Sequence, residues 1–151
     1  MSWSRLLAER KVKPHVPTPR EIDDLRAVVA RDLADAAIRS LSADRRFATT
    51  YNAALQLARM AIACAGYRVS ASAHHQASFE AVEIAMGASA TPFAVYFDTC
   101  RRRRSVVDYD MSGVVSDTEV AEIIEQAHGF RSLVEGWIEA NHPPFGAPSA
   151  Q

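Results

Sequence analysis

The chain has 151 residues, a length that accommodates one domain with a core of its own and no need of disulfide staples. Its 48% hydrophobic and 23% charged residues exclude a disordered chain, and its net charge of −1 excludes a uniformly basic nucleic-acid binder. No apolar run approaches the roughly 18 residues of a membrane span, and the opening stretch lacks a signal-peptide core, so the expected location is cytoplasmic.

Residues 1–17 read as an N-terminal arm. Trp3, Leu6 and Leu7 form a short apolar turn, followed by the basic loop KVKPHVP with its two prolines. Trp3 and Leu6 are placed either to cover one end of a helical bundle or to dock on a partner. Thr18-Pro19-Arg20-Glu21 then carries a helix-start pattern: a capping threonine, proline at the first helical position and glutamate three residues after the cap. The helix it opens is expected to run to about Ser40. Ile22, Leu25, Val29, Leu33 and Ala36 would face inward, and Asp23, Asp24, Arg31, Asp32 and Asp35 would face water.

A second helix restarts at Ser42 to Asp44 and stops at Gly66. Phe47, Tyr51, Leu55, Ala58 and Ile62 form one stripe, and Leu57, Met60, Ala61 and Cys64 a second, so this helix is expected to be central. A third spans from Ser70 or Ser72 to Gly87 and contains His74 and His75. Adjacent histidines point about 100° apart, which chelates one ion poorly, and neither has a good partner ligand one turn on. No metal site and no cofactor is therefore expected. Cys64 and Cys100 read as buried, reduced thiols.

Thr91-Pro92 repeats the capping pattern and opens the stretch FAVYFDTCRRRRSVVDYDM, residues 93–111. At about 100° per residue, Phe93, Phe97, Cys100, Val107 and Met111 share a stripe with Arg104 in its middle. Arg101 sits at the edge of that stripe, Arg102 points nearly opposite and Arg103 takes the far flank. A guanidinium keeps its charge, so an inward Arg104 calls for a carboxylate, carbonyls or an anionic ligand. Asp108, one turn on, offers an intrahelical pair; a phosphate held by Arg101 and Arg104, with Asp108 or Tyr109 beside it, is the functional alternative. Ser116-Asp117-Thr118-Glu119 is a capping box. The helix after it repeats apolar residues from Val120 to Ile138 at helical spacing, with His128 off the stripe and on the exposed side.

The prediction is an all-α domain over residues 18–140, an up-and-down bundle of four to five helices with a flexible tail at 141–151. No alternating pattern calls for a strand, and no glycine-rich phosphate loop or nucleophile elbow is present.

The block Arg104-Ser105-Val106-Val107-Asp108-Tyr109-Asp110 on a late helix, after an alanine-rich helix with Tyr51-Asn52-Ala53-Ala54, resembles the HEPN superfamily, and more narrowly its branch with an arginine, a short spacer and Asp-Tyr-Asp. The resemblance covers about Ile22 to Ile138. It implies a small helical bundle that forms a homodimer and sets its polar motif at the dimer groove. It further implies either a metal-independent ribonuclease or toxin paired with a minimal nucleotidyltransferase antitoxin, or a non-catalytic module that binds RNA, a nucleotide or a nucleotidyltransferase partner through a groove centred on Arg104. The catalytic pattern of the superfamily is arginine, four to six residues, then histidine. Here Arg104 matches the arginine, Tyr109 and Asp110 stand where histidine would, and the next histidine is His128. The resemblance thus implies Arg104, Asp108 and Tyr109 as catalytic candidates, with Arg101, Tyr51, Asn52 and His75 as binding candidates. A binding module needs no proton acceptor; a ribonuclease needs Asp108, Tyr109 or a histidine from the neighbouring helix to serve as one. A purely structural helical dimer is the third reading.

Overall fold

A computed structural model describes residues 2–109 and 114–148, the side chains of 73–74 and 105–109 excepted. In chain order these form α1 (Trp3–Ala8), β1 (Val12–Pro14), α2 (Pro19–Ala36), α3 (Ala43–Cys64), β2 (Tyr67–Val69), α4 (His74–Met86), α5 (Thr91–Tyr109) and α6 (Asp117–Asn141), with 3₁₀ turns at Ala71–Ala73, Ala88–Ala90 and Pro143–Phe145. The fold is mostly helical, as the periodicity predicts.

α3 is the axis of the bundle. It touches α2, α4, α5, α6 and β2, and both of its apolar stripes are buried, with Tyr51, Ala54, Ala58, Met60 and Ala61 fully covered. The alanines let its neighbours approach closely. Ser42 caps its start by accepting from Arg45 N at 3.2 Å, and Gly66 ends it at φ +98°, a conformation L side chains rarely adopt.

The helix start at Thr18 forms as its pattern predicts: Thr18 accepts from Glu21 N at 3.1 Å and Pro19 opens the helix, while the Glu21 carboxylate meets His15 Nε2 of the preceding loop at 2.8 Å through both oxygens. Two local expectations are corrected. Thr91 is already helical, and its hydroxyl donates to Glu83 on α4 at 3.3 Å, so it ties two helices together instead of capping one. Asp32, expected in water, is 4% exposed and accepts Asn52 Nδ2 of α3 at 2.6 Å. Gln56 and Arg59 extend that polar ladder along α3. The capping box at Ser116 and Glu119 forms in full.

The expectation of no strand also fails. β1 and β2 pair antiparallel with Val12 opposite Val69, Lys13 opposite Arg68 and Pro14 opposite Tyr67. Strands of three residues are too short to show alternation, and their partners lie more than fifty residues apart, so no local pattern announces them. The pairing anchors the first residues of the chain: Leu6 is fully buried, and Trp3 stacks on Tyr67 with ring centroids 4.1 Å apart.

At the other end Arg26 joins α2 to α6. It donates to both carboxylate oxygens of Glu135 and to the Phe145 carbonyl, and also pairs with Asp23. Arg26→Met keeps the stem but leaves the half-buried Glu135 without its partner. It is expected to lower the unfolding free energy by about 2 kcal/mol, read in urea denaturation.

Cys64 and Cys100 are buried and unbridged. Burial pushes their thiols up to about 11 and about 12, which keeps both as inert core residues at neutral pH. No described helix is long and apolar enough to cross a membrane.

Candidate functional site

The face of α5 that carries the arginines is positioned by a chain of aromatic contacts through the core. Tyr51 of α3 meets Phe79 of α4 edge-on at 6.0 Å, Phe79 stacks against Phe97 of α5 at 5.8 Å, and Phe97 packs on Phe130 of α6 at 5.5 Å. Arg104 lies two helical turns beyond Phe97 on the same stripe. Its Cζ comes to rest 5.4 Å from the centroid of the Tyr51 ring, within cation–π distance, and its Nε is buried.

Tyr51 also holds His75. The imidazole lies nearly parallel to the phenol ring, with centroids 6.0 Å apart and planes 19° apart, and Nδ1 is 3.4 Å from the hydroxyl, a long hydrogen bond. Burial pushes the Tyr51 hydroxyl far above its usual pKa; the positive fields of Arg104 and then Arg101 oppose this but do not win. The phenol therefore keeps its proton and acts as a neutral hydrogen-bonding group. Residues distant in sequence, Tyr51, His75 and Arg104, with Arg101 close enough for its charge to act on the same hydroxyl, thus form one polar constellation.

The remaining candidates are placed differently. Arg101 donates to Asp98 Oδ1 at 3.0 Å and is half-buried, and Arg102 is exposed, 3.8 Å from the same carboxylate. Asn52, one residue on from Tyr51 and so about 100° around α3, faces α2 through Asp32. His128 is exposed on α6. The Asp108 and Tyr109 side chains, and with them the Arg104–Asp108 pair, lie outside the described residues, as does the side chain of His74.

Arg103 has a role that sequence reasoning missed. Its Nε and Nη2 donate to the two Glu119 oxygens, each at 3.0 Å, and Nη2 also donates to the Val114 carbonyl. It therefore clamps α5 onto the capping box of α6. Glu119 is recognisable in sequence as a cap residue, but nothing local shows that an arginine sixteen positions earlier returns to it. Arg103, and after it the Ser116 N–H, hold the Glu119 carboxyl below its ordinary 4.5. A depressed carboxyl contributes stability that is present above its unfolded pKa and lost as pH falls through the folded value. Thermal melts of Arg103→Met should accordingly show a smaller loss of stability than wild type on acidification below about pH 4.5, and a lower melting point at neutral pH.

A cavity of about 720 Å³ opens between α4 and α5 and includes Glu80, Glu83, Asp98 and Arg102 in its lining. Its carboxylates outnumber its one arginine, and none of Tyr51, His75 or Arg104 lines it, so it does not suit an anion. The described residues contain no cluster of three or more His, Cys, Asp or Glu that would hold a metal. Comparison with known proteins finds no matching family model, no matching curated protein and no matching solved structure.

Proposed function

We propose that the Arg104 face of α5 binds a phosphate group of RNA or of a nucleotide. The reading rests on one observation: a guanidinium with a buried Nε stands over the ring of a fully buried tyrosine, and a second arginine lies close enough for its charge to reach the same hydroxyl. A ring under the guanidinium fixes its plane, and a fixed plane directs donors toward a tetrahedral anion more selectively than a mobile lysine would. The HEPN resemblance supports the same residues, and it extends the proposal to a homodimer with the motif at its groove, partnered by a minimal nucleotidyltransferase in a toxin–antitoxin-type system.

The contact between Tyr51 and His75 favours a second reading, metal-independent RNA cleavage. If Nδ1–H donates to the Tyr51 oxygen, Nε2 is left with a lone pair to accept the proton of a ribose 2′-OH. The 2′-oxygen would attack phosphorus in line, the 5′-oxygen would leave and take a proton from solvent water, and Arg104 would balance the charge gathering on the phosphoryl oxygens. The products would be a 2′,3′-cyclic phosphate and a 5′-hydroxyl end. His75 then supplies what the Arg-to-His pattern supplies from a single helix.

Purified protein with a labelled single-stranded RNA and with ATP, divalent ions chelated, separates the readings. Binding by wild type that is lost in Arg104→Ala, with RNA intact throughout, supports the binding module. Cleavage that is lost in Arg104→Ala and in His75→Ala, with RNA binding retained in the latter, supports the ribonuclease. A wild-type protein that neither binds nor cleaves ends both, and a monomer by light scattering at micromolar concentration removes the dimer.

A further inference from the structure

A pocket of about 490 Å³ lies between the β1–β2 pair, the first two turns of α2 and the last turns of α3. It shares no residue with the Arg104, Tyr51 and His75 constellation. Lys13, Arg59 and Arg68 line it, all three exposed, and none forms a salt bridge with a described residue. Arg59 donates to the neutral Gln56 side chain at 2.8 Å. The one carboxylate in the lining, Glu21, is engaged by His15 through both oxygens.

The register of the strands sharpens the point. Lys13 stands directly opposite Arg68, and like charges facing each other across an antiparallel pair destabilise it. The chain has 18 acidic residues against 17 lysines and arginines, so carboxylates are not scarce; this pocket has one, already engaged by His15, against three cations. Tyr67, backed by the stacked Trp3, adds a rigid aromatic wall.

We propose that this pocket binds a small molecule carrying a di- or triphosphate. Three cations from both strands and α3 match several phosphoryl charges better than the single charge of a carboxylate. The arginines offer the paired donors that phosphate oxygens accept, and the volume falls in the range of small-molecule sites. The bound anion relieves the repulsion between Lys13 and Arg68.

The test uses the full chain with Arg104→Ala in place, so that Arg104 itself cannot contribute, and calorimetric titration with pyrophosphate and with ATP at fixed ionic strength. The expected result is binding that falls at least about tenfold on adding Lys13→Ser with Arg68→Ser. In the absence of anion that double substitution should melt no lower than its parent, because it removes a like-charge pair. Arg59→Gln, which leaves the strands untouched, should weaken the same binding and decides the matter if the double variant fails to fold. No binding of either anion up to about 10 mM, or binding indifferent to all three substitutions, overturns the proposal. So does a pocket that takes single-stranded RNA through these residues but neither pyrophosphate nor ATP. The Arg104 reading survives any of these outcomes, since its own residues are absent from the comparison.

Discussion

Tyr51→Ala is expected to lower the unfolding free energy by about 3–5 kcal/mol, which for a domain of this size corresponds to a fall in melting temperature of roughly 10 °C. The ring is fully buried on the central helix and touches Phe79, His75 and the Arg104 guanidinium at once. Its removal leaves a cavity where α3 and α4 meet, and the guanidinium loses the surface it stands on. Tyr51→Phe is the informative control. It fills the same space and keeps the face under Arg104, so its cost should stay below about 1 kcal/mol. It removes only the hydroxyl that meets His75 Nδ1. Urea unfolding of the two variants measures the packing part, and the RNA assay measures the rest. A Tyr51→Phe protein that folds normally and binds RNA but no longer cleaves it would assign the hydroxyl to orienting the imidazole.

Arg104→Ala is expected to weaken RNA or nucleotide binding by about 10- to 100-fold, equivalent to one or two charge-assisted hydrogen bonds. Loss of one phosphate contact should also reduce the dependence of log affinity on log salt by about 0.7 for a single strand. Arg104→Lys keeps the charge but not the planar fork, so it should recover the salt dependence more fully than the affinity. Fluorescence anisotropy over a range of salt concentrations reads both quantities. An affinity unchanged in Arg104→Ala would shift attention to Arg102, the most exposed of the four arginines, and to the pocket at Lys13 and Arg68.

Helix α6 shows how far local pattern reaches. Ser116, Glu119 and the repeat from Val120 to Ile138 name its start, its buried face and its length, and each is where the pattern puts it. α3 is as legible, because two apolar stripes on one helix require neighbours on two sides. Arg104 was legible as an inward cation for the same reason: it interrupts the stripe of Phe97 and Cys100, which are buried. Asp32 shows the limit. Polarity on the apparent outer face of α2 reads as solvent exposure until Asn52 arrives from another helix to bury it. Thr91 likewise carries a capping sequence but lies inside the helix, because the preceding 3₁₀ turn has already begun to wind the chain.

The sequence by itself determined the class of fold, the central place of α3 and the inward direction of Arg104, because helical periodicity and capping depend on neighbours within a turn or two. Only the tertiary structure decided what Arg104 meets, that His75 joins it through Tyr51, that Arg103 closes on Glu119, and that Lys13 faces Arg68. These pairings join residues sixteen to fifty-five positions apart. Their geometry is set by the packing of whole helices around an aromatic core, and no spacing within a single element encodes it.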